Sequence, residues 1–333
     1  MGGDALKHTK TERKDIKDYT RIKTHILEEL SKHLVCKAVI EVPEKESFGD
    51  LDVLYICDDK IVIQDLINEL FNPHEIVNNG PVTSFDYDNF QIDFMKSTSL
   101  EEFNSKMFYF AYGDLGCLMG KMINFYKIKF GDRGLWIDID NSIDNKPLGV
   151  KCNIGKEILL TNEPKQICEF LELNYELWKN GFSTKQEIFE WLCSSKYFKK
   201  NIFNVENGAD RNRMENRKMY MDFMKWLWGG DGTPTEPKPD KEYIQHHAIT
   251  YFNKQDELEA IVGEVKLREI RKLKYNGKLF VDKGTKPTLI VQTMSQFEKY
   301  IEKVLETDFI KWLDSTDKEN VQILLNKFFL TEH

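Results

Sequence analysis

Apolar residues along the chain first fall at helical spacing and then switch to alternation. Ile16, Tyr19, Ile22, Ile26, Leu30 and Leu34 recur at three- and four-residue steps with charges between them, which predicts an amphipathic helix over 12–34. Residues 36–42 (CKAVIEV) are rich in β-formers and stop at Pro43. Residues 50–57 (DLDVLYIC) alternate and then run apolar, and 89–95 (NFQIDFM) alternate again, so both read as strands. Helices are expected at 60–71, 99–108 and 114–130, before Gly131 and Gly134 break the pattern. Short strands are expected near 135–139, 149–153 and 157–160, then helices over 163–180, 184–193 and 211–228. GGDGTPTEPKPDKE at 229–242 carries no periodic apolar residues and reads as a linker or exposed loop. The remainder is mainly helical, with breaks around 276–277 and 283–286, and no internal repeat is visible.

The length of 333 residues suits two domains or three and allows a sizeable core. A formal net charge of −8 argues against coating nucleic acid by bulk charge, while leaving room for a local basic groove. None of the six cysteines forms a CxxC pair, and no His stands at zinc-finger spacing from them. That pattern argues against a structural zinc site and fits the reduced thiols of a cytoplasmic protein. No apolar run follows the start and no stretch approaches a membrane span, so neither a secretory leader nor a membrane partner is expected.

Asp50 and Asp52 stand two apart in a predicted strand, so both project from one face. Two carboxylates on one face repel unless a cation sits between them. Asp93 lies in a second predicted strand with the same apolar flanks, Ile92 and Phe94. If the two strands are neighbours, three carboxylates converge at one sheet surface. Oxygen-only ligands of this charge suit Mg²⁺, or Mn²⁺ in its place. Two such ions could activate an attacking 3′-hydroxyl and stabilise a departing pyrophosphate. The plain alternative is a solvated Asp-x-Asp on an exposed sheet face. Context favours the site: Ser47-Phe48-Gly49 supplies a turn before the first Asp, and strongly apolar residues follow. Gly49 would let the backbone approach a phosphate closely.

Glu46-Ser47-Phe48-Gly49-Asp50-Leu51-Asp52-Val53-Leu54 resembles the Ser-Ser-Gly-Asp-Met-Asp-Val-Leu segment of family X DNA polymerases, the DNA polymerase beta group. Gln91-Ile92-Asp93-Phe94 is similar to the strand that gives that family's third metal ligand, and Tyr109 through Asp114 (YFAYGD) to its Tyr-Phe-Thr-Gly-Ser element. A helix then ends near Lys129-Phe130-Gly131, where the family has a Lys-Gly pair. Lys146-Pro147-Leu148-Gly149-Val150 resembles its Arg-Pro-Leu-Gly-Val, and 161–171 its subdomain-closing helix. The resemblance covers roughly residues 20–178. It implies an α+β fold: a nucleotidyltransferase palm, with a mixed sheet and flanking helices, plus a mainly helical C-terminal domain. The expected layout is an N-terminal helix over 1–35, a palm and nucleotide-binding subdomain over 36–182, and a helical domain over 183–333.

By the same resemblance, Asp50 and Asp52 bind both metals and Asp93 binds the metal on the attacking hydroxyl. Tyr109 and Phe110, or Tyr112 with Gly113 if the alignment slips, would lie by the sugar. The implied partners are an NTP or dNTP and a DNA or RNA 3′ end, in the cytoplasm or, for a viral chain, the host cytoplasm; oligomeric state stays open. The chain also departs from the family. Val39-Ile40 stands where the family has Gly-Ser for the triphosphate, and Pro43-Glu44-Lys45 replaces an Arg-rich segment. Lys45 and Ser47 are candidate replacement donors to phosphate, Lys45 being equally readable as a solvated loop lysine. The closing Tyr-x-x-Pro-x-x-Arg is reduced to Tyr175-Glu176-Leu177-Trp178, and no helix-hairpin-helix lyase domain is expected, since residues 1–35 alone precede the core. These departures argue against gap-filling repair and weaken the case for templated synthesis.

Residues 183–333 have no counterpart in that family and hold two basic stretches. One contains Arg211, Arg213, Arg217 and Lys218 before an aromatic helix with Tyr220, Phe223, Trp226 and Trp228. The other contains Lys266, Arg268, Arg271, Lys272, Lys274 and Lys278. Basic residues near aromatics can hold a single strand, but Tyr220, Phe223 and Leu227 step as a buried helix face does. The final helices faintly resemble the tails of tRNA nucleotidyltransferases and related phage proteins. His246-His247 diverge on a helix and read as structural or exposed. The leading expectation is a transferase of nucleoside monophosphates to a nucleic-acid 3′-hydroxyl. The alternatives are a CCA-adding type of RNA-end transferase, an inactive nucleic-acid-binding protein on the same fold, and a transferase acting on proteins or small molecules.

Overall fold

The computed structural model describes residues 5–57, 60–139, 156–204, 208, 211–212, 216–230, 237 and 244–331, without the side chains of 265–266 and 268–271. The chain divides into two units, one of Met1–Asp138 with Glu157–Phe252 and one of Ile139–Lys156 with Asn253–His333.

The first unit is built on the two alternating segments. Its early strands are β1 (Lys14–Asp15), β2 (Val35–Ala38), β3 (Ser47–Phe48), β4 (Asp50–Ile56), β5 (Ile76–Asn79), β6 (Val82–Tyr87) and β7 (Phe90–Lys96). Five of them form one mixed sheet in the order β2-β4-β7-β6-β5, with β4 and β7 parallel and the other neighbours antiparallel. The short β1 and β3 pair separately.

β5 and β6 are absent from the periodicity reading, and turn chemistry is what reveals them. Gly80 takes φ +59° before Pro81, and Asp88-Asn89 both adopt left-handed backbone, with φ +52° and +54°. Two-residue loops of this kind match the twist of antiparallel strands, and Asx residues tolerate them.

Period-two alternation separates the sheet's faces. Leu51, Val53, Tyr55, Phe85, Phe90, Ile92 and Phe94 pack in one buried cluster with α1 (Ile16–Leu30) and α2 (Ile63–Phe71). Helix α1 contributes Tyr19, Ile22, Ile26 and Leu30. The side chain of Asp15 caps it through the Asp18 N–H at 2.9 Å. On the other face Leu54 and Met95 pack with Val39, Phe103 and Met107, the last two from α3 (Leu100–Phe110). One face is therefore apolar throughout, and the other is apolar only along part of its strands.

The expected helix over 114–130 ends early. Helix α4 spans Leu115–Asn124, and Lys127 turns the chain at φ +63°. Strand β8 (Lys129–Gly131) then pairs with β9 (Gly134–Ile139), and β10 (Lys156–Thr161) flanks β9. The strand expected near 149–153 lies outside the described residues. The single helix expected over 163–180 is two, α5 (Pro164–Leu171) and α6 (Tyr175–Asn180). Glu172 breaks them with left-handed backbone, and the Asn174 side chain caps the second. Helices α7 (Lys185–Cys193), α8 (Lys218–Trp228) and α9 (Gln245–Tyr251) complete the unit's main elements.

From Asn253 on, the described residues of the second unit are mainly helical: α10 (Gln255–Lys274), α11 (Gly277–Val281), α12 (Ile290–Leu305), α13 (Phe309–Ser315) and α14 (Lys318–Thr331). Its own core gathers Tyr275, Phe280, Phe297, Phe309 and Phe328. Among the described residues no helix is long and apolar enough to cross a membrane.

Leu51 sits between Asp50 and Asp52 and is 0% exposed on the helix-covered face. Leu51→Ala is expected to cost about 2–5 kcal/mol through a cavity under the strand. Equilibrium denaturation in urea reads this as a lower midpoint with an unchanged slope.

Candidate active site

The parallel pairing of β4 with β7 sets Asp52 directly opposite Asp93 and Asp50 opposite Gln91. The β6–β7 ladder sets Ser84 opposite Asp93 and Asp86 opposite Gln91. All six side chains belong to the sheet face that α3 covers only near Leu54 and Met95. Where the apolar cover stops, the same face becomes acidic.

Burial and mutual repulsion both act on the carboxylates. Desolvation first, then the charges of Asp50, Asp93 and Glu41, push Asp52 up to about 8, with Lys45 opposing. Asp50 is raised by desolvation and by Asp93, against the pull of Lys45. Desolvation also raises Asp93, while hydrogen bonds from Ser84 and Gln91 pull it back. The Gln91 amide donates to both Asp93 oxygens, at 3.0 and 2.9 Å.

Glu41 is a fourth carboxylate in the same field. The β2–β4 ladder continues one bond beyond β2, from the Val39 N–H to the Asp52 carbonyl at 2.9 Å, and Glu41 follows two residues on. Its carboxylate accepts from the Tyr19 hydroxyl at 3.0 Å and from Lys45 Nζ at 2.5 Å. Lys45 also stands 4.8 Å from the centre of the Phe48 ring, which stacks on Tyr19 at 3.8 Å. Ser47 is held by Arg13, whose guanidinium bonds its hydroxyl and its carbonyl, both at 2.7 Å. Gly49 is buried between β3 and β4.

The donors suit a hard divalent cation by chemistry: oxygen ligands, one sheet face, and buried negative charge opposed mainly by Lys45. Among the described residues no three Asp, Glu, His or Cys side chains are grouped so that they could hold a metal ion.

The residues read as sugar neighbours divide. Tyr112 is interior: its hydroxyl donates to the Trp178 carbonyl at 3.0 Å and its N–H to the Ile40 carbonyl at 2.7 Å. Phe110 packs on the α3 side of the sheet, and Tyr109 lies half-buried against Phe110 and Phe130. Gly113 takes φ +65°, and a Cβ there would fall 2.6 Å from Val42 Cγ2.

Of the basic candidates, Arg217 pairs with Asp114 at 2.8 Å. Arg211 and Lys218 are exposed, and Arg213 lies outside the described residues. Arg271 and Lys272 belong to α10 in the second unit, with Lys272 exposed and the Arg271 side chain outside those described. Tyr220 and Phe223 are fully buried, and His247 stacks on Phe170, so these read as core and packing. Lys146-Pro147-Leu148-Gly149-Val150 lies outside the described residues.

Four site residues escape a reading of the sequence alone: Glu41, Gln91, Ser84 and Arg13. A lone acid in the apolar run Val39-Ile40-Glu41-Val42 is the signal for the first. Gln91 shares the face of Asp93 by alternation. Ser84 depends on a strand the periodicity does not show, and Arg13 on a long-range contact. No family model matches the chain, and no curated protein does.

A raised carboxylate destabilises the fold once it must ionise. Between the ordinary Asp value and about 8 the folded chain binds a proton at Asp52 that the unfolded chain has released, so stability falls as pH rises through that window. Asp52→Asn is expected to raise the thermal midpoint of the metal-free protein at pH 8. The gain should disappear near pH 4, as scanning calorimetry across the range would read.

Proposed function

We propose that the chain is a metal-dependent nucleotidyltransferase that moves a nucleoside monophosphate from an NTP or dNTP to a nucleic-acid 3′-hydroxyl. One observation carries the reading: the register that faces Asp52 with Asp93 and puts Asp50 on the same surface. The polymerase beta-like order of segments supports it. Asp50 and Asp52 would hold both Mg²⁺ ions, and Asp93 the one serving the acceptor hydroxyl. When bound, the ions would activate that hydroxyl and neutralise the departing pyrophosphate. Asp93 is also the group to take the hydroxyl proton. Lys45 and Arg13, beside the turn into β4, are the cationic groups this reading assigns to a triphosphate.

The test is a primer-extension panel with labelled NTPs and dNTPs on DNA and RNA primers, with and without template. Incorporation that needs Mg²⁺ or Mn²⁺ is expected. Asp50→Ala and Asp93→Asn should each reduce it by more than the roughly 10–100-fold typical of outer-sphere losses. Selective labelling of RNA ends would favour the CCA-adding type. Labelling of protein or metabolites in place of primers would move the acceptor out of nucleic acid.

A second reading has one observation behind it. Lys45 is already engaged by Glu41 and Ser47 by Arg13, so neither waits free for phosphate. An inactive nucleic-acid-binding protein on this fold would show primer affinity that survives Asp50→Ala and no incorporation under any metal.

A further inference from the structure

The segment ahead of β1 is fastened beside the acidic face. Lys7, His8 and Thr9 donate their main-chain N–H groups to the Glu75 carboxylate at 2.9, 2.9 and 2.8 Å. Glu12 donates its N–H to the Asn89 carbonyl at 2.8 Å. Ala5 donates its N–H to Gln91 Oε1 at 2.9 Å. The clamp is itself anchored, because buried Asp86 accepts from the N–H groups of His74 and Glu75 at 2.9 and 2.8 Å. Asp86 is also the ladder partner of Gln91.

Gln91 is 2% exposed, so its amide must find its partners within the protein. A main-chain N–H can only donate and a carboxylate only accept. The amide atom facing Ala5 is therefore the oxygen, which leaves the NH₂ group for Asp93. One orientation satisfies both contacts, and a flipped amide satisfies neither.

We propose that Gln91 is the positioning residue of Asp93: its amide, held in one orientation by the Ala5 N–H of the clamped N-terminal segment, grips both carboxylate oxygens and presents the remaining lone pairs to a cation. The inference rests on the nucleotidyltransferase reading, since the cation is the one proposed there. An ionised carboxylate has roughly four acceptor positions, so two hydrogen bonds leave room for coordination. A carboxylate already fixed loses less torsional freedom on binding a metal than one free to rotate. Outer-sphere partners of this kind are typically worth about 10–100-fold in metal affinity. Ser84 is a second holder of the same carboxylate but takes no part in the clamp. Glu75 thereby acts on the site from a distance, through Ala5 and the Gln91 amide.

The experiment is a Mn²⁺ titration of the full chain, with free Mn²⁺ read by electron paramagnetic resonance. The samples are the wild-type protein, Asp93→Asn, Gln91→Met and Glu75→Ala, each checked by circular dichroism and melting in chelator. Gln91→Met keeps the side chain's length and removes both contacts; about tenfold weaker Mn²⁺ binding is expected. Glu75→Ala should weaken binding in the same direction by a smaller factor. Wild-type or tighter affinity in a folded Gln91→Met protein overturns the proposal. Should Gln91→Met not fold, unchanged affinity in Glu75→Ala overturns it, because that substitution alters a half-buried side chain outside the sheet's buried face. A wild-type chain that binds no Mn²⁺, or an Asp93→Asn variant that binds it unchanged, brings down the transferase reading and this inference together. That pattern is distinct from a failure at Gln91 alone.

Discussion

The parallel pairing of β4 with β7 is the constraint on which the site depends. It faces Asp52 with Asp93, and only that register does so. A one-residue slip of β7 would turn Asp93 into the cluster formed with α1 and α2, and would lift Ile92 and Phe94 onto the polar face. Both halves of that exchange are costly: a charge enters an apolar core and two large side chains leave it. The register is thus held by hydrophobic burial on the face opposite the chemistry.

The same arrangement loads the acidic face with strain of an electrostatic kind. Three carboxylates lie half-buried on one surface with Glu41 close enough to be felt, and desolvation raises each of the three aspartates. Only a well-packed layer beneath can carry such a group. Tyr19, Ile22, Ile26 and Leu30 of α1 and the aromatic rows of β6 and β7 supply that layer. Local ties then divide the polar groups among themselves: Lys45 with Glu41, Ser47 with Arg13, and Asp93 with Gln91. Each tie lowers the cost of the resting state, and the first two occupy groups that a phosphate would need.

Legibility followed the strength of the periodic signal. Strands β4 and β7 stand where two-residue spacing put them, and α1 lies inside the expected 12–34 but runs only from Ile16 to Leu30, with Lys14–Asp15 drawn into a strand ahead of it. Strands β5 and β6 were not legible that way. In β6 Val82 stands on the polar face and Thr83 on the apolar one, and β5 ends in Asn78-Asn79, so the alternation is broken in both. The helix expected to run to residue 130 stops at Asn124 because Ile128 and Phe130 are buried as part of a hairpin, not along a helix. Tyr112 looked suited to a sugar, and its hydroxyl is spent on a main-chain carbonyl from a distant helix.

The chain's own pattern determined that Asp50 and Asp52 share a face, that Asp93 sits in a similarly flanked strand, and that apolar residues bury the strands carrying them. These follow from local geometry, in which side-chain direction is set by backbone period. Whether Asp93 meets the pair was decided by tertiary structure alone, because strand order and parallel register are long-range choices made by the whole core. So were the roles of Glu41, Gln91 and Ser84. A polar residue acquires such a role from the group packed against it, and no spacing along the chain specifies that neighbour.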